Sequence, residues 1–205
     1  MSNIYEQFKE IPTTCISDAL NGLSNMENSI KPLKEEYKMS GPACTVKILA
    51  NDNLIFLKGI RMAKPGDVLV VDSKGYEYTA IAGDFVIGMA QTLGLSGVVV
   101  DGTIRDIVGI KQLNFPVFCK GTTVSAGGKA GVGEVNVPIS CGGVSVNPGD
   151  IIVGDADGVV VIPQARSEVV LQVALEKEQK DLVRAENILG NPEAVRRYLD
   201  KVLMK

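Results

Sequence analysis

The chain has 205 residues, 45% of them hydrophobic, and no low-complexity tract, which suits one globular domain with its own core. Its formal charge of −3, with no Lys/Arg cluster, argues against nucleic acid as the main partner. It contains no histidine, which excludes Ser-His-Asp and Cys-His catalysis and any His-ligated zinc or iron. Proton transfer must then fall to carboxylates, Lys, Tyr, Cys or water, and a metal would be held by oxygens, as Mg²⁺ or Mn²⁺ is.

The N-terminal MSNIYEQFKEIP has no apolar core region or cleavage signature of a secretory signal, and no apolar run approaches a membrane span. A cytoplasmic protein without a membrane partner is expected. Cys15, Cys44, Cys119 and Cys141 are scattered without a CxxC pair and read as free thiols.

IPTTCISDALNGL (11–23) reads as a short helix, with Thr13 or Thr14 as its cap and Gly22 at its end. A polar stretch to about residue 40 precedes a strand, CTVKILA (44–50). NLIFLKGIRMA (53–63) reads as a helix with Leu54, Leu57 and Ile60 on one face. PGDVLVVDSKG (65–75) and PGDIIVGDADG (148–158) share a turn, an apolar run, an Asp and a closing Gly. A recurring local hairpin motif explains the pair more simply than a duplicated half-domain, since the flanking segments do not match.

AGDFVIGMAQTLGL (82–95) carries Val86, Met89, Ala90 and Leu93 at helical spacing. It leads into VVVD, a buried strand expected to end at Asp101 before a glycine turn and the Arg105-Asp106 pair. IVGIKQL (107–113) reads as a helix, FPVFCKG (115–121) as a strand, and GVVVIP (158–163) as the strand that closes the sheet. SAGGKAGVGEVNV (125–137) is a glycine-rich loop leading into further β-structure; it fails the GxxxxGK[ST] pattern, because Lys129 is followed by Ala130 and position 123 is Thr. Two helices close the chain: 167–190, with Ser167 as its cap, and one from Pro192 with Val195, Tyr198, Leu199 and Val202 on one face. The expected division is an α/β domain over 1–163 and a helical extension over 164–205.

The chemistry concentrates in two places. A helix beginning near Gly83 presents unpaired N–H groups and a positive dipole end, a seat for a substrate carboxylate. The loop after the valine strand brings Arg105, whose fork suits a carbonyl or carboxylate, and Asp106, which with Asp84 offers hard oxygens to a cation. A surface salt bridge is the alternative reading of the Arg-Asp pair.

GDFVIGMAQTLGLSGVVVDGTIRD resembles the hallmark of the RraA-like family, which includes the class II 4-hydroxy-4-methyl-2-oxoglutarate aldolases and the regulators of ribonuclease E activity. The similarity extends to SDAL near the N-terminus, FPVFCKGTT and GGVSVNPGDIIVGDADGVVVIP, and so to about residue 163. Asp84 lies twenty-one positions before Arg105, the family's spacing. The resemblance implies an α-β-β-α sandwich of the swivelling β/β/α type, assembled as a trimer or hexamer with sites between subunits.

It also implies roles. The amides of Gly83, Asp84, Phe85 and Val86 would hold the carboxylate of a 2-keto acid, Arg105 would bind the keto oxygen and stabilise an enolate, and Asp106 would anchor Mg²⁺ or Mn²⁺ largely through water. A water held by Asp84 would shuttle the proton. A carboxylate from a neighbouring subunit's C-terminal helix matches Asp181, with Glu178 one turn away. The implied activity is retro-aldol release of pyruvate from a 4-hydroxy-2-oxo acid, together with oxaloacetate decarboxylation; the alternative is a non-catalytic binding protein of the ribonuclease E inhibitor type. The extended C-terminal helices favour the aldolase side, while the lack of an acid in IVGIKQ departs from many relatives. The family's older label, menaquinone methyltransferase, gains no support, since no glycine-rich motif for S-adenosylmethionine is visible.

Overall fold

The computed structural model describes residues 3–204. Elements follow in chain order as α1 (Ile4–Glu10), α2 (Thr13–Ala19), β1 (Lys31–Pro32), β2 (Met39–Ile48), α3 (Leu54–Met62), β3 (Val68–Ala80), α4 (Asp84–Thr92), β4 (Gly97–Ile104), α5 (Ile107–Leu113), β5 (Val117–Thr122), β6 (Gly133–Val135), β7 (Ile139–Cys141), β8 (Val144–Val146), β9 (Ile151–Asp155), β10 (Gly158–Ile162), α6 (Ser167–Ile188) and α7 (Pro192–Leu203).

Strands β2, β3, β4 and β5 are parallel neighbours joined by crossover helices α3, α4 and α5. Strand β2 serves two sheets. Its first residues pair antiparallel with β9, from Met39↔Gly154 to Pro42↔Ile151. The residues that follow pair parallel with β3, from Ala43↔Val68 to Lys47↔Asp72. The chain therefore folds over at residues 42–43, and the β9–β10 hairpin lies across the parallel sheet. The two sheets approach so closely at Gly154 that a Cβ there would stand 2.8 Å from Phe118 Cζ and 2.9 Å from Met39 Cε.

Alternation along the strands sorts the core into layers. Leu69, Val71, Val98, Val100 and Val117 face α3, α4 and α5. Val68, Val70, Val99 and Phe118 face Ile152, Val159 and Val161 between the sheets. Ile151, Val153, Val160 and Ile162 face Phe8 of α1, Ile16 of α2, and Val170, Leu171 and Ala174 of α6. This is the expected α-β-β-α sandwich with a helical C-terminus. After Ala174, neither α6 nor α7 buries a residue.

Several local expectations need correction. Helix α1, with its buried Phe8, is absent from the sequence reading. Thr13 and Thr14 do not cap α2 with their own side chains; Asp155 caps it from β9, accepting from Thr13 N at 2.9 Å and Thr13 Oγ1 at 2.6 Å. Strand β2 starts at Met39, not 44. Helix α3 buries Ile55, Phe56 and Ile60, while Leu54 faces outward. In α4 the buried residues are Ile87 and Ala90, and Leu93 is exposed. Ser167 is the first residue of α6 and makes no cap bond. The Val195, Tyr198, Leu199 and Val202 face lies on α7 as read, but Tyr198, Leu199 and Val202 are solvent-exposed.

The two Pro-Gly-Asp segments form the same turn. Gly66 and Gly149 have φ of +90° and +86°, and Asp67 and Asp150 each accept an N–H at 2.8 Å from the residue three before. Only the second leads into a hairpin; the first opens a parallel strand. The shared motif is a turn, not a repeated unit.

Candidate active site

Strand β4 does not stop at Asp101. It runs through Gly102 and Thr103 to Ile104, so Arg105 and Asp106 emerge directly from its carboxyl end. Gly102 is required by its neighbour: a Cβ there would overlap Ser73 Oγ and stand 2.8 Å from Tyr76 O, on the irregular part of β3. The carboxyl ends of parallel strands, where loops converge, are the usual place for a site in such sheets.

Backbone bonds bring the two loops together. Ile81 N donates to Thr103 O at 2.9 Å and Arg105 N to Ala82 O at 3.0 Å. Arg105 thereby lies beside Gly83, the cap residue of α4. Asp106 adopts left-handed backbone, φ 59°, a region that Asp tolerates better than most residues. It makes no side-chain cap to α5. Its carboxylate turns back over Gly83, and Oδ2 lies 3.3 Å from Arg105 Nε. Both side chains are 43% exposed, so each can still meet a ligand.

At the start of α4 the seat is partly occupied. Phe85 N donates to Asp84 Oδ1 at 2.7 Å. The amides of Gly83, Asp84 and Val86 have no acceptor among the described residues. Arg105, Asp106, Gly83, Asp84, Phe85 and Val86 line one cavity of about 360 Å³. Six of the seven residues named for the site thus converge. The seventh, Asp181, does not line the cavity, and neither does its alternative Glu178. Asp181 lies on α6, bound to Arg184 Nη2 at 2.7 Å and near Lys177 Nζ at 3.7 Å. Both acids approach Cys15 of α2, whose thiol is pushed up by burial first and then by Asp181, Glu178 and Asp18.

The far wall was missed in the sequence. It holds Asn53, Leu57, Ala126, Gly127 and Lys129. The segment Asn51-Asp52-Asn53 pins the glycine-rich loop: Asn53 N donates to Gly128 O at 3.0 Å, and buried Asp52 accepts from Val132 N at 2.8 Å. Gly127 passes so near β3 that a Cβ would stand 2.9 Å from Ala80 O. The glycines therefore serve close backbone approach, and the loop brings Lys129 to the cavity. Two amides with short polar side chains beside an Asp, ahead of a helix, were the available signal.

Among the described residues, no three His, Cys, Asp or Glu side chains gather into a metal cage. A single half-exposed carboxylate suits a cation that keeps most of its waters, as Mg²⁺ does. Asp106 fits such an ion and does not fit a closed protein-ligated site.

A profile of the RraA-like family, described as Aldolase/RraA, matches residues 13–161. The chain belongs to the RraA-like family. A Halalkalibacterium halodurans protein named "Putative 4-hydroxy-4-methyl-2-oxoglutarate aldolase" is 57% identical over 197 residues, covering 96% of this chain and 94% of its own. An uncharacterized protein from Pseudomonas syringae superposes with a TM-score of 0.82 at 26% identity, covering 94% of this chain and 95% of its own. The RNA-processing inhibitor RraA from Thermus thermophilus superposes with a TM-score of 0.70 at 30% identity, covering 76% of this chain and 94% of its own. Among the described residues no helix is long and apolar enough to cross a membrane.

Proposed function

We propose that this RraA-like chain is a divalent-metal-dependent lyase that cleaves a 4-hydroxy-2-oxo acid, of the 4-hydroxy-4-methyl-2-oxoglutarate type, to pyruvate, and decarboxylates oxaloacetate by the same route. The observation that carries this is the convergence of the α4 amides, Arg105 and Asp106 on one cavity. The similarity to the halodurans protein across nearly the whole of both chains supports the aldolase side of the family.

The substrate's C1 carboxylate sits on the open amides at the start of α4, aided by the helix dipole. Its keto oxygen meets the Arg105 guanidinium. A water held by Asp84 takes the proton of the 4-hydroxyl; C4 becomes a carbonyl, the C3–C4 bond breaks, and its electrons pass to the keto oxygen as the enolate of pyruvate. Arg105 stabilises that developing charge. The same water returns the proton to C3. With oxaloacetate, carbon dioxide leaves from C4 and the same enolate forms.

Asp106 would hold Mg²⁺ or Mn²⁺, largely through water; such an ion supplies Lewis-acid stabilisation of the keto oxygen. Asn53 and Lys129 are the polar side chains that the distal end of the substrate would meet. The reading includes a homotrimer or homohexamer in a cytoplasmic setting, with Asp181 or Glu178 of one copy completing the site of another. Phe85, 79% exposed at the mouth, supports a covered site in the assembly.

The test is pyruvate release with Mg²⁺ across 4-hydroxy-2-oxo diacids and oxaloacetate. Turnover supports the lyase. Absence of turnover together with inhibition of a ribonuclease favours the regulatory reading instead, to which the likeness to the Thermus inhibitor gives its standing.

A further inference from the structure

A second glycine–carboxylate pair joins the same two helices. Gly109 is the third residue of α5 and faces Asp84, the first residue of α4. A Cβ on Gly109 would overlap Asp84 Oδ2, and it would stand 2.9 Å from Asp84 Cβ and 3.0 Å from Cγ. Cβ is the root of the side chain, and α4's backbone fixes it. Rotating the carboxylate alone does not clear the overlap.

The backbone of Gly109 gives no reason for glycine. It lies within α5 and is not among the residues with positive φ. In a helix interior Ala is favoured over Gly by about 0.5–1 kcal/mol. The nearby Gly88 of α4 is different, because a Cβ there meets nothing closer than Leu113 at 3.9 Å. Gly109 is tied to its neighbour, and the neighbour is the acid proposed to hold the proton-carrying water.

We infer that Gly109 is a positioning residue: its missing Cβ lets α5 close on α4 and fixes the Asp84 carboxylate at the rim of the cavity. The inference rests on the functional reading above. It also says why Gly stands in IVGIKQ at a position where helix propensity disfavours it. The arrangement is reciprocal, since Asp106 at the start of α5 packs on Gly83 while Asp84 at the start of α4 packs on Gly109. Each helix start carries one acid and accepts the other.

The test compares wild type with Gly109→Ala, Gly88→Ala, Asp84→Gly and the double variant Asp84→Gly/Gly109→Ala. Three quantities are read: turnover with Mg²⁺, deuterium uptake into the methyl group of pyruvate, and the melting temperature. Gly109→Ala is expected to lower kcat and exchange about 10–10²-fold, since misplacing a proton-transfer group by an ångström costs that much. KM should stay within about twofold, because the open amides of α4 remain. Gly88→Ala should keep both activities. The double variant should be no slower than Asp84→Gly, because glycine at 84 removes every atom that a Gly109 Cβ would overlap.

Gly109→Ala with normal kcat and exchange overturns the inference, as does a double variant in which the two losses multiply. A wild type that neither turns over nor exchanges overturns the functional reading and this role with it. One arm is independent of activity: Gly109→Ala should raise the melting temperature more in an Asp84→Gly background than in wild type. Equal increments in the two backgrounds overturn the packing itself.

Discussion

The Asp106 carboxylate lies over Gly83, so closely that a Cβ on Gly83 would overlap Oδ2 and stand 3.3 Å from Cγ. This contact fixes the acid that is proposed to hold the cation beside the amides that are proposed to hold the substrate. Asp106 reaches it by taking left-handed backbone and giving up a cap bond to its own helix. Gly83→Ala should therefore displace Asp106 and lower turnover about 10²-fold, with the cation needed at higher concentration. Turnover against Mg²⁺ concentration checks this; an unchanged curve removes the contact from the account.

The requirement for a cation follows from the residue types present. No histidine is available, and Asp106 offers oxygen ligands with room for water. Exhaustive EDTA treatment should abolish pyruvate release, and Mg²⁺ or Mn²⁺ should restore it. Full activity after EDTA contradicts the metal's part.

Asp181 is paired with Arg184 and Lys177 inside its own chain, away from the cavity. If it completes the site of another copy, Asp181→Ala should lower kcat at least tenfold while sedimentation shows the same oligomer. An unchanged rate moves the role to Glu178, tested by Glu178→Ala, or removes the tail from the chemistry.

The sequence made the ends of the site legible and left its far wall hidden. Arg105, Asp106, Gly83 and Asp84 could be read because strand, charge pair and helix start follow one another within a single crossover unit. Asn53 and Lys129 could not, because the loop that carries Lys129 docks on Asn51 and Ala80, distant in sequence, and the Asn51-Asp52-Asn53 segment does not say which loop it will hold. The strand end at Asp101 misread Gly102 as a turn; the glycine is there for Ser73 and Tyr76 of the neighbouring strand. The face of α3 was taken as Leu54, Leu57 and Ile60; Ile60 is buried as read, but packing onto β2 and β3 selected Ile55 and Phe56 beside it. The layered fold was legible because the strands and crossover helices alternate along the chain.

Stability should fall at alkaline pH. Burial pushes the Cys44 and Cys119 thiols up from 9.0 to about 11. Their raised values favour the folded state fully below pH 9.0, and that advantage is lost as pH rises from 9.0 to about 11, by about 2–3 kcal/mol per thiol. Lys120 acts in the same direction: burial lowers its pKa, but hydrogen bonds from it to Glu27 and Asp101 outweigh this and raise it. Its stabilising effect is complete below 10.5 and is lost above. Urea midpoints should be flat from pH 7 to 9 and decline above, with a shallower decline in Cys44→Ala/Cys119→Ala. A midpoint that holds steady to pH 11 contradicts the burial argument.

Arg105 carries the central claim. If its guanidinium stabilises an enolate, it interacts more strongly with the transition state than with the bound keto acid. Arg105→Lys keeps the charge and loses the fork, so it should still fail. Loss of one such donor costs about 10²–10³ in kcat, and Arg105→Ala should lose at least that. The Arg105–Asp106 pair is half exposed, and such pairs are worth only about 0–1 kcal/mol, so both variants should melt close to wild type. The deciding measurement is kcat for pyruvate release with Mg²⁺ in Arg105→Ala and Arg105→Lys, beside their melting curves. A fall of about 10² or more in both with the fold intact is the predicted result; near-normal turnover in Arg105→Ala would contradict the mechanism.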